Sequence, residues 1–154
     1  MNSIKKPGHL VKKAALRTSF HSAGMRLTRQ RLAIYRELAS RFDHPDVDHL
    51  YQAVKPRIPQ ISLFTVYRTM NALESAGKVL RVATWKGYAR YDGNMEAHAH
   101  FLCESCGRIH DVELQDLSAL CKQVVGDTGK IQRVDVMFYG TGPLCLHAVD
   151  AQQA

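Results

Sequence analysis

Residues 62–77, SLFTVYRTMNALESAG, decide the fold. Ser62 offers an N-cap hydroxyl, Leu63, Val66, Met70 and Leu73 recur at helical spacing, and Gly77 supplies the stop, so the segment predicts a capped amphipathic helix. Its other face carries Phe64, Tyr67, Arg68 and Asn71. Just downstream, two β-like runs at 79–84 and 88–91 flank Trp85, Lys86 and Gly87, the pattern of a hairpin. Upstream, Leu10, Ala14, Leu16 and Phe20 suit a short helix over 9–21, halted near Gly24. Thr28 caps a second helix, with Leu32, Ile34, Tyr35 and Leu38 facing a core and Arg29, Arg31 and Arg36 in water. A third runs over 46–55 and ends at the prolines 56 and 59. Helices followed by a capped helix and a hairpin, in that order, make a winged helix. In that arrangement the capped helix enters the major groove, which puts Tyr67 and Arg68 on DNA. A rim residue of the core and a solvated charge are the plainer readings of the same two side chains.

Charge separates the chain into two halves. Residues 1–85 hold 15 Lys and Arg against 5 Asp and Glu, whereas residues 86–154 hold 6 against 9, so the overall +7 conceals +10 beside −3. A basic half of this strength suits phosphate neutralisation, although a solvated basic face has the same composition. No window of apolar residues is long enough for a bilayer span, and no apolar segment follows the early lysines. Cytoplasmic location and no membrane partner are therefore expected, and in that compartment the 4 cysteines hold metal or stay reduced.

Beyond Asp92 the pattern changes to strands at 99–102 and 109–113, a helix over 117–125 and a strand over 131–139 with one buried face. The reading is an α+β protein, with a winged-helix DNA-binding domain over 1–92 and a small α/β domain over 93–154. The second is small enough that pairing with another copy is the natural way to bury its sheet.

The chemistry concentrates in YDGNMEAHAHFLCESCGRIHD, residues 91–111. Alternate positions of a strand share a face, so His98 and His100 aim two imidazoles at one point, with Asp92 and Asp111 flanking them. Cys103 and Cys106 form a C-x-x-C knuckle followed by Gly107, the turn that lets two thiolates grip one zinc ion. A thioredoxin-type redox pair would sit near a βαβ pattern, which is missing. A zinc deaminase needs H-x-E ahead of P-C-x-x-C, and Leu102 precedes Cys103 instead, so an enzyme is not expected. Thiolates suit zinc, and nitrogen with carboxylate suits iron or manganese. Cys121, within an apolar helix, reads as a small core residue.

The four stretches GMRLTRQRLAIY, HPDVDHLY, ISLFTVYRTMNALESAGKV and HAHFLCESCGRIHD resemble, in order, the ferric uptake regulator (Fur) family over about residues 20 to 113. The resemblance implies a dimeric, metal-activated repressor with an N-terminal winged helix, a C-terminal dimerisation domain and a double-stranded DNA operator as partner. It implies a regulatory site for ferrous iron or manganese(II) made of His44, Asp92, His98, His100 and Asp111. An ion joining His44 to the C-terminal ligands would fix the orientation of the two halves and so couple metal to DNA affinity. Asp at 111, where iron-responsive members usually carry Glu, points to the peroxide-responsive PerR type. The alternative is an iron- or zinc-availability sensor of the same fold. Ala97 and Ala99 replace side chains that a second sensing site needs. The family's structural zinc takes a second cysteine pair near the C-terminus, and here only Cys145 is present. Zinc at Cys103, Cys106 and Cys145 is then completed by His147, or is absent. Arg26, Thr28, Arg29, Thr65 and Lys86 join Tyr67 and Arg68 as expected DNA contacts.

Overall fold

The computed structural model describes residues 12–150 apart from 115, 117, 125, 127, 128 and 132, and describes the backbone alone at 118, 121 and 147–150. Two units divide the chain, Met1–Glu96 and Ala97–Ala154.

In the first unit the order is α1 (Lys13–Ser22), α2 (Arg29–Ala39), α3 (Val47–Val54), α4 (Leu63–Ser75), then β1 (Leu80–Trp85) and β2 (Tyr88–Asp92). Side chains cap three of these helices: Thr28 accepts from Arg31 N at 3.3 Å, Asp46 from His49 N at 2.8 Å and Ser62 from Thr65 N at 3.1 Å. Each cap satisfies a backbone donor that the first turn leaves over, worth about 1 kcal/mol. Leu16, Phe20, Ile34, Tyr35, Leu38, Leu50, Val54, Val66, Met70, Leu73 and Tyr91 share one buried core. Of the expected helix over 9–21, residues 9–11 lie outside those described.

Two expectations about core faces need correction. Leu63 is 36% exposed, because Ile61, just ahead of the Ser62 cap, is buried and packs this end of the helix with Val66. Arg31 is half-buried rather than in water. Its Nη1 donates to the carbonyl of Arg26 and its guanidinium lies 5.9 Å from the Phe20 ring centre.

The hairpin closes on a two-residue turn, with Trp85 paired to Tyr88 and φ of +48° at Lys86 and +85° at Gly87. Positive φ at both central positions is the type I′ turn whose twist matches paired strands. Gly93 then passes against α2: a Cβ at this position would stand 3.0 Å from Ala39 Cα. The absence of a side chain lets the chain leave β2 flat against the helix end.

The second unit holds β3 (Ala99–Cys103), β4 (Ile109–Val112), α5 (Ser118–Lys122), β5 (Met137–Gly140) and α6 (Pro143–Asp150). The sheet order is β4-β3-β5, with β3 antiparallel to β4 and parallel to β5. The strand expected over 131–139 is confined to β5. Its register against β3 begins at His100 and Met137, and one further bond, from His100 N to the carbonyl of Val136 at 2.9 Å, reaches upstream of it, while residue 132 lies outside those described. Nor does that strand bury one face, since Phe138 is 42% and Tyr139 63% exposed. Of the helix expected over 117–125, residues 117 and 125 lie outside those described. Helix α6 was not expected from the sequence; Pro143 stands at its first position, where the missing N–H costs nothing.

No helix among the described residues is long and apolar enough to cross a membrane.

Candidate metal centres and nucleic-acid face

In the first unit, β2 holds the turn that carries His44. Arg90 Nε donates to the carbonyl of His44, Arg90 Nη2 to that of Asp43 at 2.8 Å, and Tyr91 N to that of Pro45 at 3.0 Å. His44 has a φ of +48°. For a residue with a Cβ this left-handed conformation costs about 1–2 kcal/mol, and such outliers gather at functional sites. The turn sets the His44 imidazole, 2% exposed, with Nε2 3.7 Å from Asp92 Oδ2. Asp92 Oδ1 accepts from Asn94 N at 2.7 Å, which fixes the carboxylate.

In the second unit, His98 Nε2 and His100 Nε2 are 3.0 Å apart, the rings tilted by 59°. Asp111, opposite His100 in the β3–β4 register, brings Oδ1 to 3.6 Å from His98 Nε2. Both histidines are buried. Nitrogens bound side by side on an octahedral ion at about 2.1 Å lie about 3.0 Å from each other, so the two imidazoles have the spacing of ligands to one ion. Imidazole with carboxylate suits iron and manganese. Ala97 and Ala99 offer no donor.

Cys103 at the end of β3, Cys106 in the following turn and Cys145 on α6 bring their sulfurs within 4.8 Å of one another. Cys103 Sγ and Cys145 Sγ are 3.7 Å apart. Tetrahedral zinc with bonds of about 2.3 Å sets its sulfurs about 3.8 Å apart, whereas a disulfide needs about 2.05 Å. The donor set therefore fits zinc. The backbone N–H of Gly142 donates to Cys103 Sγ at 3.3 Å and, with that of Cys106, holds the Cys103 thiol down at about 6. Hydrogen bonding with Cys106 and Cys103 pushes Cys145 up to about 11. The side chains of Cys121 and His147 fall outside the described ones.

On α4, Phe64 is 69% and Tyr67 44% exposed, and Arg68 is exposed with its guanidinium 5.7 Å from the Phe64 ring. Burial, and after it the charge of Arg68, lowers the pKa of Arg31. An anion placed between these guanidiniums would relieve that repulsion. Arg26, Thr28 and Arg29 are exposed at the start of α2, and Lys86 at the hairpin tip. Thr65 is half-buried and its hydroxyl lies 2.8 Å from that of Ser62.

Two residues beside the cysteines escaped the sequence reading. Gly142 stands three before Cys145, the spacing of a C-x-x-C knuckle, and His110 lines the same cavity as the three thiols. The first was readable as a knuckle with one sulfur missing. The second appears only once β3 and β4 are in register.

A winged helix followed by a small sheet, with buried imidazole and carboxylate donors and a group of thiols, defines the class as a two-unit metal-ligating regulator. The sequence model of the ferric uptake regulator family matches residues 22–139, and the chain belongs to that family. The peroxide-responsive repressor PerR of Staphylococcus epidermidis is 34% identical over 130 residues, covering 82% of this chain and 85% of that protein. The Campylobacter jejuni peroxide stress regulator aligns with a TM-score of 0.63 at 27% identity, over 86% of this chain and 97% of that one. The Helicobacter pylori ferric uptake regulator Fur shares the fold, with a TM-score of 0.76 at 22% identity over 93% of this chain and 97% of that one.

Proposed function

We infer that the chain is a metal-dependent transcriptional repressor that senses peroxide, through ferrous iron bound by His44, Asp92, His98, His100 and Asp111. The likeness to a peroxide-responsive repressor over most of both chains carries this reading. The spacing of His98, His100 and Asp111 supports it. Manganese(II) is the alternative occupant, inert to peroxide, and zinc belongs to the cysteines.

Residues 1–92 form the DNA-binding domain and residues 93–154 the metal-binding dimerisation domain. His44 and Asp92 belong to the first domain and the other three ligands to the second, so one shared ion fixes the orientation of both. Within the homodimer, that fixed orientation lets two copies of α4 meet successive half-sites of an operator. Thr65, Tyr67 and Arg68 on α4, Arg26, Thr28 and Arg29 at the start of α2, and Lys86 on the wing are assigned to the DNA. Thr28 and its neighbours present backbone donors at a helix start, a position suited to phosphate.

Bound iron supplies the one-electron chemistry that reduces peroxide beside the ligands. The chain's own part is to keep His98 and His100 buried and next to the ion, so that the oxidising equivalent is spent on an imidazole. An oxidised imidazole no longer donates its nitrogen pair, the two domains lose their common anchor, and DNA is released. On this reading the chain acts by binding DNA rather than by turning over a substrate.

The test is fluorescence anisotropy on operator DNA with demetallated, iron-loaded and manganese-loaded protein. Binding should need metal, fall steeply with salt because lysines and arginines displace counterions, and be lost after peroxide only in the iron form. Equal binding by demetallated protein contradicts the metal dependence. Binding that survives peroxide in both metal forms identifies a metal-availability sensor.

A further inference from the structure

We propose that His110 is the fourth ligand of the cysteine-bound zinc, making the site three thiolates and one imidazole. The inference rests on the reading of Cys103, Cys106 and Cys145 as a zinc group and adds the residue that closes it.

Structural zinc is four-coordinate in nearly all cases, and among the described residues three sulfurs gather at this place. The position that would carry a fourth sulfur holds none. Gly142 precedes Cys145 with knuckle spacing, its N–H points at Cys103 Sγ at 3.3 Å, and a Cβ built on it would lie 3.6 Å from that sulfur. A donor must come from elsewhere. On β4, His110 pairs with Phe101 across the sheet, and residues paired directly across two strands share a face. Cys103 is two residues beyond Phe101 on β3 and therefore lies on that face too. His110 accordingly lines one cavity with Cys103, Cys106, Cys145 and Gly142. It is exposed, so its ring can turn through its rotamers toward the sulfurs without unpacking anything. Its neighbour Asp111 alternates to the opposite face, where His98 and His100 stand, so one four-residue strand serves two ions of different character.

The experiment uses full-length protein with zinc and cobalt(II) as probes. Zinc affinity is measured by competition with a chelator, and the cobalt thiolate charge-transfer and d–d bands report the donor set of this site apart from the histidine–aspartate one. Wild type should retain zinc that Cys103→Ser removes. His110→Ala should weaken zinc by at least about tenfold, since losing even an outer partner of a ligand costs 10–100-fold, and should shift the cobalt bands. His147→Ala should leave both unchanged. Adding Gly142→Cys to His110→Ala should restore affinity with a spectrum of four thiolates, which separates a lost ligand from a misfolded sheet. Affinity and spectrum unaltered by His110→Ala overturn the proposal, as does loss in His147→Ala instead. Wild-type protein with no affinity for zinc overturns the zinc reading beneath it.

Discussion

The two units solve the problem of burial differently. The first packs apolar side chains from four helices and a hairpin into one core, with Tyr35, Leu38, Leu50, Val66 and Met70 almost wholly out of water. In the second, among the described residues, the buried apolar side chains are Ala99, Leu102, Cys103 and Ile109, while Phe138, Tyr139, Leu144 and Leu146 are exposed. The first unit is held by packing, whereas on the proposed reading the second gains support from metal on its donors and from another copy over its exposed apolar side chains.

The comparison can be broken most severely at the first core. Leu38→Ala should cost about 2–5 kcal/mol by leaving a cavity, read as a lower denaturant midpoint. Leu144→Ala, at an exposed position, should leave that midpoint unchanged in dilute protein. A large cost at Leu144 and a small one at Leu38 would reverse the picture. Gly93→Ala comes next: its Cβ meets Ala39 backbone at 3.0 Å, which cannot yield as a side chain could. Overpacking of this kind costs about 1–3 kcal/mol and should also disturb the turn that sets His44 against Asp92, lowering metal affinity with stability. Metal binding unaltered in a destabilised Gly93→Ala protein would uncouple the two.

A subtler contrast concerns partnership. Phe138→Asp should make sedimentation of the protein concentration-dependent at micromolar levels and give a monomer, while the winged helix keeps its native thermal unfolding. A dimer of unchanged stability would place the interface elsewhere. Smallest is Ser62→Ala, which removes the cap of α4 at a cost of about 1 kcal/mol and changes neither metal content nor dimerisation. A metal-poor Ser62→Ala protein would show that the cap governs more than the start of its own helix.

Much of the first unit was legible because its signals are local. Thr28, Asp46 and Ser62 announce helix starts, and Lys86-Gly87 announces a turn, each through chemistry confined to a few residues. The exposure of Leu63 and the half-burial of Arg31 were not, because helical spacing does not tell which of two neighbouring apolar residues, Ile61 or Leu63, takes the core position, nor that Phe20 of another helix stands beside Arg31. In the second unit the alternation over 131–139 promised a longer strand than β3 can pair, and strand length is set by the partner rather than by the segment itself. The same holds for the candidate sites. His98 and His100 were readable from their spacing of two, and Cys103 with Cys106 from the knuckle. His110 enters only through the register of β4 on β3, which the spacing of the cysteines by itself does not fix.

The measurement that bears most directly on the central claim is mass spectrometry of iron-loaded protein after brief exposure to hydrogen peroxide, beside a manganese-loaded control, with DNA binding followed in parallel. One oxygen atom should be added to His44, His98 or His100 in the iron form alone, accompanied by release of DNA. Release of DNA with every histidine unmodified and a new Cys103–Cys106 disulfide would contradict it.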